Sequence, residues 1–394
     1  MKLIKKFMIL MLICSCICMS GCWDKVEIDK KFFISMIGID PGKDIDEEKE
    51  IKKLPNQSSF SNSNFEKLNI TYAFPNIGQL SPEKGGSTNE NSINVNAYSM
   101  ADGVKKIIEK SSRTISFGHL EVIVLNKKIL EHRDTFKEIL DYLQREPSIN
   151  RMVYLVFTEE NTEDMLKFQP DVEKSIENYM VGMLENNKKN NTSFPLKFND
   201  FLKNITSYNN TIVPIVNIDK NKKQLKIDKV GLVKNYKLVG YLGNYEGNTV
   251  SLLNGNFKKG TRSIVKEGSV LDYSVENYER KIRVSNNKDK LKFDIYIFLE
   301  GEIKGYNVDK NIFSNEQIMV IQDYFNKVIE KESTEVLKKT QGEYNTDVIG
   351  LKDYLYKYHP RIWSKVKNNW DEDYRNLPIS IHVSSKIRRM GATK

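Results

Sequence analysis

All four cysteines of this chain lie within its first 22 residues, at Cys14, Cys16, Cys18 and Cys22. Beyond Cys22 the sequence has no thiol, which excludes disulfide frameworks, cysteine-ligated zinc, iron–sulfur clusters and cysteine nucleophiles from the rest of the chain. An ordinary apolar core must therefore stabilise the fold. The hydrophobic fraction of 39% is large enough to build one.

The N-terminus has the pattern of an export signal. Lys2, Lys5 and Lys6 precede an uninterrupted apolar stretch at residues 7–19. A helix of that length spans about 20 Å, which is short of the roughly 30 Å hydrocarbon core of a bilayer. The pattern therefore favours a secretory signal peptide over a membrane-spanning helix.

The end of this signal indicates a lipid anchor. Met-Ser-Gly-Cys at residues 19–22 resembles a bacterial lipobox, in which the cysteine receives a diacylglyceryl group and becomes the first residue after cleavage. Met19 departs from the usual leucine. The other three cysteines fit less well, since they follow a bulky residue or leave too short an apolar segment. A plain signal peptide and an uncleaved anchor are the alternatives.

The length of 394 residues predicts two or three domains, at roughly 150 residues each. We expect a signal peptide at 1–21, an N-terminal mixed α/β region at 22–217 with room for two subdomains, a linker at 218–228 and a C-terminal α+β domain at 229–394. The linker is placed where a Lys/Asn-rich stretch interrupts the hydrophobic pattern.

In the N-terminal region, strand-like and helix-like patterns alternate, which favours a mixed α/β arrangement. Strands are predicted near residues 34–40, 69–74, 122–125 and 152–157, and helices after Ser99 and at 129–144, 162–168, 172–185 and 196–206.

The C-terminal region is predicted to form a curved sheet with long amphipathic helices on one face. A tight hairpin is predicted at 231–242, and apolar residues alternate at 291–299 as in a half-buried strand. Helical spacing predicts a long helix at 315–339 and a second one at 348–358. A closing strand is expected from residue 379. The predicted fold class is α+β or mixed α/β, with several domains and mixed sheets flanked by helices.

Known catalytic motifs are absent from the sequence. His119, His132, His359 and His382 are widely spaced and have no carboxylate at ligand spacing, so no catalytic, cofactor or metal site is expected. The acidic runs at 159–160 and 371–373 are interpreted as solvated charges. Basic residues are scattered among acids, and this distribution, together with export, argues against nucleic-acid binding.

Several segments, in order along almost the whole mature chain, resemble one family, the spore germination receptor C-subunit lipoproteins of endospore-forming bacteria (Ger(x)C type). The matching segments are Gly-Cys-Trp-Asp at 21–24, Ile-Gly-Ile-Asp at 37–40, Phe-Gly-His at 117–119, Arg-Glu-Pro at 145–147, the hairpin at 231–242, Asp-Val-Ile-Gly at 347–350, Trp363, Trp370 and Ile-Arg-Arg-Met-Gly at 387–391. Departures are Met19 and a polar insertion at about 44–64.

This resemblance implies a non-enzymatic, lipid-anchored subunit on the extracytoplasmic face of the spore inner membrane, assembled with membrane-embedded A and B subunits that respond to nutrients. It implies three mixed α/β domains and no cofactor. Carried over to this sequence, it supports Cys22 as the lipidated residue. Trp23, Asp24, His119, Arg145, Trp363 and Trp370 match motif positions without an assigned role.

Two other functions remain open from the sequence. An extracytoplasmic solute-binding lipoprotein would need a cleft with convergent polar groups. A secreted hydrolase of cell-wall material would need some of the acidic residues to converge in space.

Overall fold

The computed structural model describes residues 31–51, 53, 64–75, 90–111, 113–190, 194–266, 268–287, 290–304 and 314–390. Cys22, Trp23 and Asp24 lie outside the described residues, as do residues 54–63 of the predicted insertion.

The described strands fall into three sheets. They are β1 (Lys31–Phe33), β2 (Met36–Pro41), β3 (Leu68–Pro75), β4 (Glu90–Ala97), β5 (Thr114–Ser116), β6 (Val122–Asn126), β7 (Tyr154–Thr158), β8 (Asn210–Asp219), β9 (Gln224–Lys234), β10 (Lys237–Gly243), β11 (Gly260–Lys266), β12 (Ser269–Asn287), β13 (Lys290–Lys304) and β14 (Ile379–Met390).

Most of the described helices are amphipathic and cover these sheets. They are α1 (Glu48–Ile51), α2 (Met100–Lys110), α3 (Arg133–Arg145), α4 (Thr162–Lys167), α5 (Ile176–Asn190), α6 (Phe198–Tyr208), α7 (Asn244–Asn254), α8 (Asn315–Leu337), α9 (Leu351–Tyr358), α10 (Pro360–Val366) and α11 (Trp370–Arg375). Short 3₁₀ helices cover Ile45–Glu47 and Lys127–Glu131, and a π-helix at Lys338–Glu343 follows α8.

The largest sheet has eight strands in the order β10-β9-β8-β7-β6-β2-β3-β4, and its centre is parallel. On one face Phe136 of α3 and Phe201 of α6 pack against Phe157 of β7. On the other face lie Met165 of α4 and Met180 of α5. Burial on both faces explains why β6 and β7 read as continuous apolar runs rather than alternating ones.

The four-stranded sheet β11-β12-β13-β14 has one covered face. Phe293, Ile295 and Ile297 of β13 are fully buried beneath α8, which contributes Ile321 and Phe325 to the same core. The alternation predicted at 291–299 is thus confirmed and extends over the whole of β13. The opposite face of this sheet carries partly exposed and exposed side chains.

The stretch predicted as a linker, 218–228, comprises the end of β8, a turn and the beginning of β9. The next turn, between β9 and β10, is the predicted tight hairpin. Its two central residues, Asn235 and Tyr236, have φ of 51° and 65°, as a type I′ turn requires. Both hairpins extend the eight-stranded sheet, so this sheet continues from the N-terminal part of the chain into the C-terminal part.

The predicted fold class, mixed sheets flanked by helices, is confirmed. Several elements were not predicted, among them the strands β4, β8, β11 and β12 and the helix α7. The helix expected from 348 begins at Leu351, because the side chain of Asp347 accepts hydrogen bonds from the first backbone N–H groups and Gly350 takes a φ of 82°. Among the described helices, none is both long and apolar enough to cross a bilayer.

Candidate functional site at the cleft between the two halves

A polar cleft of about 530 Å³ separates the N-terminal half, residues 31–219, from the C-terminal half, residues 224–390. One wall is the outer face of α6. Asp200, Lys203 and Asn204 lie on this face, because residues three and four positions apart are neighbours on a helix surface. The other wall comes from the C-terminal half, from the segment after α7 and the beginning of α9. The cleft is therefore built by elements far apart in the sequence.

A hydrogen bond closes the cleft at one side. The hydroxyl of Tyr208, the last residue of α6, donates to Oδ1 of Asp353 on α9 at 2.8 Å. Burial and this contact with the carboxylate raise the pKa of Tyr208 to about 12, so the phenol carries the proton that the hydrogen bond needs. A second cavity, also of about 530 Å³, shares Lys203, Tyr208, Lys352 and Asp353 with the first and extends to Trp363.

Asp347 is the most deeply buried acid of the cleft. Its carboxylate accepts hydrogen bonds of 2.9, 3.1 and 2.8 Å from the backbone N–H groups of Gly350, Leu351 and Lys352. Burial raises the pKa of this carboxyl, and the three N–H groups oppose that effect. The carboxylate oxygens of Asp347 are occupied by the N–H groups at the beginning of α9. This side chain is therefore poorly placed to act as a general base.

The chemistry offered by the cleft is that of binding. Asp200, Lys203, Lys258 and Lys352 supply charges of both signs, and the Lys352 ammonium lies 5.9 Å from the centre of the Trp363 ring. Within the described part of the chain, no group of three His, Asp or Glu side chains is arranged to hold a metal ion. Such a lining suits a small polar molecule or an extended polar segment.

The structure brings together two of the motif residues. The rings of Trp363 and Trp370 meet edge to face with centroids 5.8 Å apart, and Trp370 also packs on Tyr374. Trp370 is buried, whereas Trp363 is half-buried and lines the second cavity. Trp363, Trp370 and Tyr374 therefore form a small aromatic cluster that borders the second cavity at Trp363.

His119 and Arg145 lie apart from this cluster and from each other in the fold. His119 is exposed in the turn after β5, where its ring packs edge-on against Phe33 at 4.7 Å. Arg145 is exposed at the end of α3 and pairs with Asp141 one turn earlier, at 2.8 Å. Neither residue converges with other motif positions, so a shared site for the motif residues is not present in the described structure.

The Gly-Ile-Asp motif has a packing role that the sequence did not reveal. Asp40 is buried and accepts hydrogen bonds from Thr162 and Asn126. Gly38 faces Thr162 so closely that a Cβ on residue 38 would lie 2.5 Å from its hydroxyl oxygen. The motif thus holds the beginning of α4 against β2.

The acidic runs at 159–160 and 371–373 do not form a pair of free carboxylates. Glu159 is bonded to Lys127 at 2.5 Å and to Lys229 at 2.6 Å. Burial alone would raise its pKa, but the two lysines outweigh burial and leave it lowered. Asp371 pairs with Lys234 at 3.0 Å, which joins α11 to the end of β9.

The cleft residues Lys203, Tyr208, Lys352 and Asp353 were not anticipated from the sequence. Tyr208 and Asp353 are 145 positions apart. Neither belongs to a recognisable motif, and the polar face of α6 looks like any solvated helix face.

Comparison with known protein families covers nearly the whole chain. Residues 24–218 match the model described as spore germination protein N-terminal domain, and residues 228–391 match the model described as spore germination B3/GerAC like, C-terminal. The chain belongs to the spore germination B3/GerAC-like family. The short segment between the two matches falls within 218–228, at the β8–β9 turn.

Curated spore germination proteins are similar to this chain over most of their length. Spore germination protein GerQC of Bacillus cereus is 29% identical over 80% of this chain and 87% of its own. Spore germination protein B3 of Bacillus subtilis (strain 168) is 24% identical over 99% of both chains. Spore germination protein A3 of the same strain is 24% identical over 96% of this chain and 97% of its own.

The fold is shared with a solved structure. The crystal structure of the GerBC protein superposes with a TM-score of 0.60, covering 85% of this chain and 100% of that one, at 23% identity.

Proposed function

We propose that this chain is the lipid-anchored, non-enzymatic C subunit of a nutrient germinant receptor, assembled with membrane-embedded A and B subunits in the spore inner membrane. The observation that carries the proposal is the succession of the two family matches, at 24–218 and 228–391, in a chain whose relatives are named spore germination proteins. In this proposal the chain acts through assembly, and the cleft offers binding groups rather than a catalytic pair.

The anchor in this proposal is Cys22, acylated after cleavage of residues 1–21. Two or three acyl chains hold a protein on a bilayer far more firmly than one. β1 begins at Lys31, nine positions after Cys22, and a chain of that length reaches at most about 30 Å. The body would therefore stand directly on the extracytoplasmic face of the membrane, within reach of integral partners.

A rigid connection between the halves supports a scaffold over a hinged binding protein. The eight-stranded sheet runs through both halves, and Tyr208 is bonded to Asp353 across the cleft. Lys234, at the end of β9, donates to the backbone oxygen of Asn345 at 2.6 Å and pairs with Asp371. Lobes that close on a solute are joined by a few flexible residues, and this arrangement differs from that.

Deletion of the gene in the spore-forming host tests the role in germination. Loss of the response to particular nutrients is expected, with germination by a receptor-independent stimulus preserved. An unaltered nutrient response in a strain with no compensating receptor would refute the proposal.

Substitution of the anchor tests attachment separately. Cys22→Ala should release the protein from the membrane fraction, whereas Cys18→Ala, a matched change within the signal, should leave it attached. Mass spectrometry of native protein showing an unmodified Cys22 thiol would contradict the anchor.

The cleft favours one second function, capture of a small polar solute. Asp200, Lys203 and Lys352 would supply charges of both signs. Titration calorimetry of residues 22–394, carrying Cys22→Ser, against single amino acids and sugars distinguishes the two functions. Saturable binding that is lost in Lys203→Ala would favour solute capture, and absence of heat would remove it.

A further inference from the structure

One end of the C-terminal half exposes an unusual number of large apolar side chains. We name this region the apolar end and define it by five residues: Val265 (72% exposed), Val270 (55%), Met319 (67%), Val320 (44%) and Tyr324 (42%). The other seven large apolar side chains that are exposed among the described residues are dispersed along the chain. Concentrated apolar exposure of this kind marks contact with a partner or a membrane.

Three contacts place these residues at the same end of the domain. Val265 and Val270 are cross-strand partners beside the β11–β12 turn. The neighbouring Lys266 places its ammonium 5.5 Å from the centre of the Tyr324 ring, which joins the hairpin to α8. The sheet register brings the end of β13 to the same place, since Asp272 of β12 pairs with Lys304.

The apolar end is a tip rather than a flat face. Val265 and Val270 lie on the outer face of the sheet, because their chain neighbours Ile264 and Leu271 point into the core. Met319 belongs to α8, which covers the inner face. A rigid flat partner would reach only one of these faces, whereas a soft apolar medium that admits the tip would cover both. Lipid at the headgroup–acyl boundary is such a medium.

The charge beside the tip has the sign that anionic lipid attracts. Residues 386–394 include four basic residues and no acidic residue. Ile387 of β14 donates its N–H to the side-chain oxygen of Gln322 at 2.9 Å, so the end of β14 with Lys386 and Arg388 runs beside α8. Arg388 and Lys304 are paired with glutamates of β13, and the side chain of Lys386 is exposed beside them. Basic residues close to an anionic surface strengthen such an attachment.

We propose that the apolar end inserts into the anionic surface of the bilayer, as a second attachment that orients the body. This inference rests on the proposed anchoring of Cys22. A tether with a reach of about 30 Å keeps the body near the membrane without deciding which side faces it. Insertion of the tip would decide it, because one end of the body then meets the lipid.

Sedimentation with vesicles tests the insertion without the acyl chain. Residues 22–394, which include every described residue, are prepared with Cys22→Ser and mixed with vesicles of phosphatidylcholine alone or with phosphatidylglycerol. Binding to the anionic vesicles is expected, and the double variant Val265→Glu with Met319→Glu should weaken it at least about tenfold.

The matched control is Met152→Glu with Val172→Glu, since these side chains are 56% and 79% exposed and lie in the N-terminal half. This control introduces the same two charges and should bind as the parent does. All four sites are exposed, so circular dichroism should show unchanged folding in both variants. Absence of vesicle binding by the parent, or equal loss in both double variants, would overturn the inference.

A photo-crosslinker placed at position 319 in intact spores identifies what the apolar end contacts. Crosslinks to lipid support the proposal, and crosslinks to a protein overturn it in favour of a protein partner at this end. A negative result for membrane insertion would not change the germination phenotype expected of the deletion strain. The insertion and the proposed function are therefore tested separately.

Discussion

Asp40 accepts two hydrogen bonds from Thr162, one from its backbone N–H at 2.9 Å and one from its hydroxyl at 2.5 Å, across 122 positions of sequence. Asn126 donates a third, from Nδ2 at 2.8 Å. All three groups, which belong to two residues, are donors, and the carboxylate is buried. This one side chain therefore holds β2, β6 and the first turn of α4 together.

Asp40→Asn is expected to lower the free energy of unfolding by about 2–3 kcal/mol. An amide offers one oxygen and turns an NH₂ group toward a donor, which leaves buried polar groups unsatisfied. Urea unfolding measures the loss. Asp164→Asn, an exposed change in the same helix α4, serves as control and should lie within about 0.5 kcal/mol of the parent. Equal effects of the two changes would contradict the role given to Asp40.

Gly38→Ala is expected to destabilise the protein by about 1–3 kcal/mol. The new methyl group would lie 2.5 Å from Oγ1 and 2.7 Å from Cβ of Thr162, and the bonds to Asp40 prevent Thr162 from moving aside. Gly182→Ala is the matched change, since nothing lies within 4 Å of a Cβ there and residue 182 is inside α5. Thermal unfolding should show a lower Tm for the first variant and an unchanged or higher Tm for the second.

Elements with a strong local pattern could be predicted from the sequence. The alternation in β13 follows from burial on one face, and the β9–β10 turn follows from residues that tolerate positive φ at Asn235. β4 was not predicted, because its asparagines are typical of a loop. In the fold Asn94 and Asn96 accept hydrogen bonds from Asn69 on β3, which is a contact between strands that no local pattern encodes.

The cleft could not be predicted for a related reason. Its walls meet only when residues 200–208 and 347–353 are brought together by the long sheet. The motif residues were recognisable individually, but the sequence did not distinguish packing positions such as Trp370 from exposed ones such as His119.

Tyr208→Phe is expected to weaken the connection between the halves by about 1 kcal/mol, the usual value of one hydrogen bond. A double-mutant cycle with Asp353→Ala isolates the pair, because Asp353 also binds Lys357 at 2.6 Å. Urea unfolding of the four proteins gives the coupling energy. Tyr356→Phe, at a largely exposed tyrosine of α9, should have no measurable effect. A coupling energy near zero would show that the two halves do not depend on this bond.

The stability of the N-terminal half should depend on the protonation of Glu177. Burial, followed by the nearby carboxylates of Glu90 and Glu121, raises the pKa of Glu177 to about 7, whereas an ordinary glutamate titrates near 4.5. Between these values the folded protein keeps a proton that the unfolded chain has released. The free energy of unfolding should therefore fall as the pH rises from about 4.5 to about 7.

Glu177→Gln should reduce this dependence and stabilise the protein at pH 8 by about 1–2 kcal/mol, after allowance for screening by solvent. Urea unfolding at several values between pH 5 and pH 8 measures the slope for each protein. Glu185→Gln, an exposed change on the same helix α5, should keep the slope of the parent. If the stability of Glu177→Gln falls with rising pH as steeply as that of the parent, the pH dependence must come from another group. Glu90 is the first candidate, because burial raises its pKa as well.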